Sequence, residues 1–236
     1  MSKVIFITGA SKGIGKAIAL SLSEDNNVIL FARSEDKLLE LESTIKKKGG
    51  SCLCIVGDVT KEQDVSDAIA TTIDKFSKID VLINNAGIGI YKRIENFSFT
   101  EFKKVLETNL FGAFLATRYA VPHMIKRKQG QIINISSVAG LNGFKEGTAY
   151  SSSKFGLNGF TESLREDIKE FGIAVTAVCP GGVRTEFGGD NHDKVNNDYL
   201  LEPEDVAHTI KYLIDESETA NTKLIELKPR KRKDRR

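Results

Sequence analysis

Short apolar runs alternate along the chain with longer stretches in which apolar residues recur every three or four positions. The runs are apolar on both faces of an extended chain, which is typical of parallel strands buried between two helical layers. The longer stretches have the period of amphipathic helices. The predicted strands are Val4–Thr8, Val28–Ala32, Cys52–Val56, Val81–Asn84, Gln131–Ile135, Ala174–Cys179 and Leu224–Leu227, and the predicted helices are residues 14–23, 35–48, 61–76, 99–128, 149–171 and 203–215.

Local signals mark several helix starts. The segments Thr60–Gln63 and Ser98–Glu101 both fit a capping box, and Pro203 suits the first turn of a helix. Strands and helices alternate over the whole length, which predicts an α/β fold. We expect a single doubly wound domain at residues 1–227, with a seven-stranded parallel sheet and helices on both faces.

The positive charge of the chain is concentrated at its end. The formal net charge is +2, but Lys228–Arg236 alone holds seven basic residues and one acidic residue, which leaves 27 basic and 31 acidic residues elsewhere. Such a run is most often a disordered, solubilising tail, and the alternative is contact with nucleic acid or an acidic partner. The rest of the chain is mildly acidic, which argues against nucleic acid as a partner.

Composition also narrows the location and excludes some chemistry. The 236 residues are 40% hydrophobic, and no apolar run approaches the roughly 20 residues of a membrane span. The first residues already form a strand, unlike a signal peptide. An odd count of three cysteines without framework spacing favours a reducing compartment, so we expect a cytoplasmic protein. Cys52 and Cys54 are read as strand residues, and the histidines have no metal-binding spacing, so we expect no metal.

Four distinctive stretches each follow a predicted strand. They read T-G-A-S-K-G-I-G, N-N-A-G, S-S-V-A-G and P-G-G-V-R-T, after the first, fourth, fifth and sixth strands. The carboxyl ends of parallel strands share one edge of a sheet, where doubly wound folds bind their ligands. The four stretches together therefore predict one binding site.

The first stretch fits a phosphate-binding turn. Gly9, Gly13 and Gly15 stand between a strand and a helix, where glycine permits a tight turn and close approach of a ligand. The helix that follows begins with free N–H groups and the positive end of its dipole, which favour a pyrophosphate. The spacing differs from G-x-G-x-x-G, and the alternative is a glycine-rich connection without a ligand.

The second strand indicates which dinucleotide is bound. It ends without the carboxylate that usually holds a ribose 2′-hydroxyl, and Arg33 stands there instead. Arg33 and Lys12 suit a 2′-phosphate, so we predict NADP(H) over NAD(H), unless both are ordinary solvated charges. Asp58 and Val59 follow the third strand. Asp58 could accept from the adenine amino group or be a turn residue.

The segment A-Y-S-S-S-K-F-G places Tyr150 and Lys154 on one face of a helix. A neighbouring ammonium lowers the pKa of a phenol, which could then exchange a proton with a substrate oxygen. Ser137, at the end of the fifth strand, could bind the same oxygen. Asn109 lies inside an apolar helix, where an asparagine needs a partner, so it either caps a kink near Gly112 or serves the site.

These motifs, in this order and spacing, resemble the short-chain dehydrogenase/reductase family from Lys3 to Leu227. The resemblance implies a Rossmann-type fold and Tyr150 as the general acid/base. It implies that Lys154 lowers the pKa of Tyr150 and holds the nicotinamide ribose. Ser137 would orient the substrate oxygen, and Asn109 would hold a relay water. Together with the motifs it implies a cofactor site made of Gly9, Ser11, Lys12, Gly13, Ile14, Gly15, Arg33, Ser34, Asp58, Val59, Asn85, Ala86, Gly87, Tyr150, Lys154, Pro180, Gly181, Val183 and Thr185.

Within the family the chain is similar to NADPH-dependent ketoreductases, which implies a ketone, an aldehyde or, alternatively, a 3-oxoacyl thioester as substrate. It departs from them in ending T-K-L-I-E-L-K-P-R-K. Glu186–Leu201 stands where the family has a substrate lid. The resemblance implies a homodimer or homotetramer, because members of the family commonly pair the helices that correspond to 99–128 and 149–171 across a dimer. The alternative of another class is a protein that senses NADPH and binds a partner through its tail. The residues expected around the substrate are Ser137, Val138, Leu141, Phe144, Tyr150 and Phe187, with Ile88 and Tyr91 nearby.

Overall fold

Seven parallel strands form one sheet in the computed structural model, which describes residues 2–187, 200–217 and 219–230. Numbered along the chain, they stand in the order 3-2-1-4-5-6-7. Each differs from its predicted bounds by at most one residue at either end. The strands are β1 Val4–Thr8, β2 Asn27–Ala32, β3 Ser51–Val56, β4 Val81–Asn84, β5 Gly130–Ile135, β6 Ile173–Pro180 and β7 Leu224–Leu227.

Helices cover both faces of the sheet. The helix predicted at 99–128 is divided by a π-helical turn at Glu107–Phe111, and Pro122 lies within its second part. Short 3₁₀ turns occur at Ile94–Asn96, Val138–Gly140 and Lys169–Phe171. The α-helices are α1 Gly13–Leu22, α2 Glu35–Lys47, α3 Glu62–Phe76, α4 Phe99–Leu106, α5 Gly112–Arg127, α6 Thr148–Ile168 and α7 Pro203–Ile214.

The core consists of two apolar layers, one on each side of the sheet. Ile5 and Ile7 of β1 belong to the layer that includes α1, α2 and α7. Val4 and Phe6 belong to the opposite layer, which includes α3 and α5. Successive side chains of a strand point to opposite faces, so a strand between two helical layers must be apolar throughout. This confirms the interpretation of the apolar runs.

One of the two predicted capping boxes forms. At the start of α4, the Ser98 hydroxyl accepts from the Glu101 amide and the Glu101 carboxylate accepts from the Ser98 amide. The prediction at Thr60 is wrong, because α3 begins at Glu62 and the Thr60 hydroxyl donates to Asp58 instead. Pro203 opens α7 as predicted.

The parallel register brings the four distinctive stretches to one edge of the sheet. Strand order reverses between β2 and β4 on either side of β1, which makes the crevice above β1 the position for a ligand. Among the residues that the structure describes, no helix has both the length and the apolar character to cross a membrane. Most of the expected lid and the end of the basic tail, residues 188–199 and 231–236, lie outside the described residues.

Candidate active site

A cavity of about 920 Å³ opens at the carboxyl edge of the sheet. Its wall contains residues from all four distinctive stretches and from the segments after β2 and β3. Of the residues predicted to contact a cofactor or substrate, all but Gly15, Asn109 and Leu141 line this cavity. With Tyr150 and Lys154 of α6, the structure thus brings predicted site residues from seven segments of the chain into one site.

The glycine turn above β1 is built for close approach. Gly9 and Gly13 have φ values of +67° and +53°, a conformation that favours glycine. A Cβ on Gly15 would lie 2.4 Å from the Gly9 carbonyl oxygen, so Gly15 serves the packing of α1 against the turn. The first turn of α1 has no capping side chain and no acidic residue. Its amide groups therefore fit a pyrophosphate.

The loop after β4 is held against the end of β1. The Thr8 hydroxyl accepts from the backbone amides of Asn85 and Ala86 at 3.0 and 3.1 Å. The Asn85 side chain donates back to the carbonyl oxygens of Thr8 and Gly9 at 3.0 and 3.1 Å. These four bonds fix the floor of the cavity between the glycine turn and the N-N-A-G stretch.

Three cations lie at the end of the cavity beside β2. Lys12, Arg33 and Lys37 all line it, with side chains about half to two-thirds exposed. The Glu186 carboxylate lies 3.8 Å from the Lys12 ammonium and 3.5 Å from the Lys37 ammonium. Such loose, exposed pairs are weak. The three side chains can therefore turn to an anionic ligand at little cost.

Asp58 is engaged in the turn after β3. Its Oδ1 accepts from the amide and the hydroxyl of Thr60, both at 2.9 Å. Its Oδ2 lies 3.8 Å from the Arg33 guanidinium. This geometry fits the turn-residue alternative, and it leaves Oδ2 directed toward the end of the cavity where Arg33 lies.

Tyr150, Lys154 and Ser137 meet at the other end of the cavity. The Lys154 ammonium lies 5.8 Å from the centroid of the Tyr150 ring and donates to the Ile135 carbonyl oxygen at 2.8 Å. Ser137 is buried, and its hydroxyl accepts from the Ala139 amide at 3.1 Å. Residues four apart on α6 thus present a phenol and an ammonium to one wall, with the serine opposite.

The electrostatics of this cluster differ from the expectation. Desolvation raises the pKa of Tyr150 to about 12, and its hydrogen bond with Ser137 opposes that rise only in part. Desolvation also lowers the pKa of Lys154 to about 8. The expectation that Lys154 lowers the pKa of Tyr150 is therefore not met by the protein's own groups, because burial of the phenol decides the direction of the shift and the group that opposes it is Ser137.

Asn109 is fully engaged within the protein. It lies in the π-helical turn, 1% exposed, and its Oδ1 accepts from the Ile88 amide at 2.8 Å. Its two amide protons go to the Ile88 carbonyl oxygen and the Ser153 hydroxyl, each at 3.0 Å. The side chain therefore fastens the loop after β4 to α6 and has no proton left to donate to a relay water.

Aromatic rings surround Tyr150. Its ring centroid lies 5.7 Å from those of Tyr91 and Phe187, and the Tyr91 and Phe144 centroids are 5.9 Å apart. Leu141 lies outside this wall, because the 3₁₀ turn at Val138–Gly140 places Asn142 and Phe144 there instead. The structure does not support Leu141 as a substrate contact.

The stretch after β6 closes the cavity beside the glycine turn. The Gly181 amide donates to the Leu227 carbonyl oxygen at 2.8 Å, which joins this stretch to β7. A Cβ on Gly13 would lie 3.2 Å from the Thr185 methyl group, so the two stretches are in close contact. Val183 forms an isolated bridge with Leu201. Thr185 and Val183, both predicted to contact the cofactor, therefore line the cavity on the side of the phosphate turn.

The comparisons with known proteins agree with this geometry. The sequence matches the family described as short chain dehydrogenase over residues 3–196. The chain belongs to the short-chain dehydrogenase family. A relative from Synechocystis sp., named 3-oxoacyl-[acyl-carrier-protein] reductase, is 36% identical over 223 residues, which are 90% of this chain and 89% of that protein.

Solved structures of other proteins resemble this short-chain dehydrogenase over nearly its whole length. The alcohol dehydrogenase of the archaeon Thermococcus sibiricus, complexed with 5-hydroxy-NADP, superposes with a TM-score of 0.90 at 27% identity, covering 97% of both chains. ElxO with NADP bound superposes with a TM-score of 0.89 at 31% identity, covering 96% of this chain and 97% of that one.

Sequence reasoning missed several residues of this short-chain dehydrogenase that line the cavity. Lys37, in the first turn of α2, carries no motif of its own, and it lines the cavity beside Glu186. Leu200 and Lys228 reach the wall from the far end of the chain. No group of three or more metal-ligating side chains occurs within the described part of the chain.

Proposed function

We propose that this short-chain dehydrogenase is an NADPH-dependent reductase of ketones and aldehydes that also oxidises the corresponding alcohols. The observation that carries the proposal is one cavity with two chemically distinct ends. Three cations and an uncapped helix start lie at one end, and a phenol, a serine hydroxyl and a buried ammonium lie at the other. The first end suits a phosphorylated dinucleotide, and the second suits proton transfer to an oxygen.

The residues near Tyr150 would do the following work. Bound NADPH supplies the hydride that reduces the carbonyl carbon. Tyr150 donates its proton to the carbonyl oxygen, which becomes the alcohol hydroxyl. Ser137 would hydrogen-bond the same oxygen. Lys154, whose ammonium donates to the Ile135 carbonyl oxygen, would have its remaining N–H groups available to hold the cofactor ribose and to act on the phenol. Because Tyr150 has a raised pKa, it stays protonated and ready to donate at neutral pH.

The preference for NADPH rests on the cations near β2. Lys12, Arg33 and Lys37 line the end of the cavity beside β2, and the planar fork of Arg33 would suit a ribose 2′-phosphate there. Asp58 is the carboxylate nearest Arg33 in the cavity wall, at 3.8 Å, and its Oδ1 is already used by Thr60. Both solved structures described above were determined with an NADP form bound.

A 3-oxoacyl thioester, on a carrier protein or coenzyme A, is the second candidate substrate. The name of the Synechocystis relative favours it. Turnover of acetoacetyl-coenzyme A at a much higher kcat/KM than that of any simple ketone would support the thioester. Similar values for both would leave the general carbonyl reductase as the better description.

We also propose a cytoplasmic homo-oligomer, at least a dimer. Phe111, Phe114 and Phe155 are 49%, 44% and 47% exposed on the outer surface of the π-helical turn, α5 and α6. Large apolar side chains exposed to solvent favour association. The three cysteines are unpaired, which suits a reducing compartment.

Replacing the phenol tests the function directly. We expect Tyr150→Phe to lower kcat by at least about a thousandfold, the usual scale of a lost general acid, with the dissociation constant of NADPH nearly unchanged. The readout is NADPH oxidation over a panel of ketones, aldehydes and keto esters, with NADH compared in the wild type. Near-native turnover by Tyr150→Phe would refute the proton role, and a preference for NADH would refute the cofactor assignment.

A further inference from the structure

A second phenol stands beside Tyr150 in the cavity. The Tyr91 ring meets the Tyr150 ring edge-on, with centroids 5.7 Å apart and an interplanar angle of 71°. Tyr91 lies on the loop after β4, whereas Tyr150 lies on α6. Both side chains line the same cavity, so a substrate held by Tyr150 is also within reach of Tyr91.

Two anchors hold the loop that carries Tyr91. On one side, the Asn109 side chain binds both the amide and the carbonyl of Ile88. On the other side, the Lys92 amide donates to the Glu146 carbonyl oxygen at 3.0 Å. Glu146 has a φ of +65°, an unfavourable conformation for a residue with a side chain. The backbone of Glu146 is thus strained at the residue whose carbonyl oxygen holds Lys92, the neighbour of Tyr91.

Gly89 makes room for the Tyr91 hydroxyl. A Cβ at this position would lie 2.5 Å from the Tyr91 Oη and 3.0 Å from a Phe187 ring carbon. The φ of Gly89 is one that any residue can adopt. A side chain is excluded there because the Tyr91 and Phe187 rings already occupy the space that its Cβ would need. The hydroxyl is therefore seated between the loop backbone and the aromatic wall.

The Tyr91 hydroxyl has no hydrogen-bond partner among residues 2–187, 200–217 and 219–230. Tyrosine hydroxyls in sheltered positions usually find one. Desolvation and the neighbouring Tyr150 raise the pKa of Tyr91, so it remains a proton donor throughout the range in which the enzyme would work. A sheltered, immobilised donor that is open to a cavity is suited to a ligand acceptor.

We propose that the Tyr91 hydroxyl binds a second oxygen of the substrate, so that the enzyme selects carbonyl compounds with another acceptor oxygen a few bonds from the reacting carbonyl, as in 1,2- and 1,3-dicarbonyl compounds. The proposal rests on the proposed function, with the reacting carbonyl at Tyr150. Tyr91 is then a positioning residue, and Tyr150 alone gives the proton. The rings of Phe144 and Phe187 cover the apolar part of such a substrate.

The test compares substrates of one length that differ in the second oxygen. Ethyl acetoacetate carries an ester carbonyl beyond its ketone, and 2-heptanone does not. We expect Tyr91→Phe to lower kcat/KM for the keto ester by about tenfold to a hundredfold, the effect of one lost hydrogen bond to a sheltered group. The value for 2-heptanone should change less than about threefold. Taking the ratio of variant to wild type for each substrate cancels the different reactivity of the two ketones.

Two further variants show whether the hydroxyl is responsible. Gly89→Ala should displace the hydroxyl and give the same selective loss, and the double variant should lose no more than either single variant, because both remove one interaction. Tyr212→Phe, a change of the same kind on the exposed face of α7, should alter neither substrate. Equal losses for both substrates in Tyr91→Phe, or no loss for either, would overturn the proposal.

A binding measurement separates this inference from the proposed function. With NADPH present, ethyl 3-hydroxybutanoate and 2-heptanol form complexes that cannot react, and their dissociation constants can be measured by calorimetry. The hydroxy ester should bind more tightly than the alcohol, and Tyr91→Phe should remove that advantage. If the wild type reduces neither ketone, the proposed function fails, while this comparison still decides the role of Tyr91: equal binding of the two alcohols to the wild type would overturn it.

Discussion

At the scale of single residues, Lys154 combines a charge with nearly complete burial. It is 4% exposed, and desolvation lowers its pKa from 10.5 to about 8. Burying the ammonium costs stability, and that cost is fully present below pH 8. Between pH 8 and 10.5 the unfolded chain holds a proton that the folded chain has released, so stability rises with pH across this window.

We therefore expect the free energy of unfolding, measured with urea and without nucleotide, to gain a contribution on the order of 3 kcal/mol from Lys154 across that window. Tyr150 acts in the opposite sense above pH 10, because its folded pKa is raised to about 12. The comparison is therefore best made from pH 8 to 10. Lys154→Met should remove the rise. Lys211→Met, at a half-exposed lysine of α7, should keep it, and an equal slope in both variants would contradict the assignment.

At the scale of elements, the helix that runs from α4 to α5 depends on Asn109. Its side chain satisfies both backbone groups of Ile88 and reaches Ser153 of α6. Asn109→Ala should leave these groups unpaired in a sheltered position, at a cost of about 2 to 4 kcal/mol. For a chain of this length we expect a fall in Tm of roughly 5 to 15 °C, together with weaker kcat/KM because the loop bearing Tyr91 loses an anchor.

Calorimetry of Asn109→Ala beside Asn96→Ala decides this point. Asn96 is exposed in the 3₁₀ turn before α4, so its replacement should change the Tm by no more than a degree or two. A Tm for Asn109→Ala within that range would show that the π-helical turn does not need its asparagine.

The same element shows where prediction from sequence succeeds and where it stops. Strand bounds were accurate to one residue because buried parallel strands are uniformly apolar, and the phosphate turn followed from its glycines. The π-helical turn was predicted as part of one continuous α-helix, because its local sequence fits an α-helix as well as a π-helix. The contact of Asn109 with Ile88, which the local sequence does not reveal, favours the π-helical turn. Lys37 and Gly89 were missed for a related reason. Lys37 lies beside Glu186, which is distant in sequence, and Gly89 lies under the rings of Tyr91 and Phe187, whose placement the local sequence does not determine.

At the scale of the whole molecule, α6 joins the site to the outer surface. Tyr150 and Lys154 face the cavity, and Phe155, the next residue, is 47% exposed on the other side. Phe114 of α5 meets the partly buried ring of Phe160 of α6 edge-on at 6.4 Å, so the two helices are in contact through their phenylalanines. We call Phe111, Phe114, Phe155 and Phe160 the phenylalanine surface. Two copies joined through it would bury the outer face of each α6.

A symmetric interface presents every substitution twice, so charges placed on the phenylalanine surface should be strongly disruptive. We expect the wild type to sediment as a dimer or a larger assembly at micromolar concentration, and Phe114→Glu with Phe155→Glu to yield monomers with a lower Tm and lower kcat. Leu39→Glu, at a half-exposed position of α2, should keep the wild-type mass. A wild type that sediments as a monomer, or a double variant of unchanged mass, would show that these rings serve another purpose. Since α6 carries the phenol and the ammonium, loss of kcat on dissociation would mean that its alignment depends on the partner subunit.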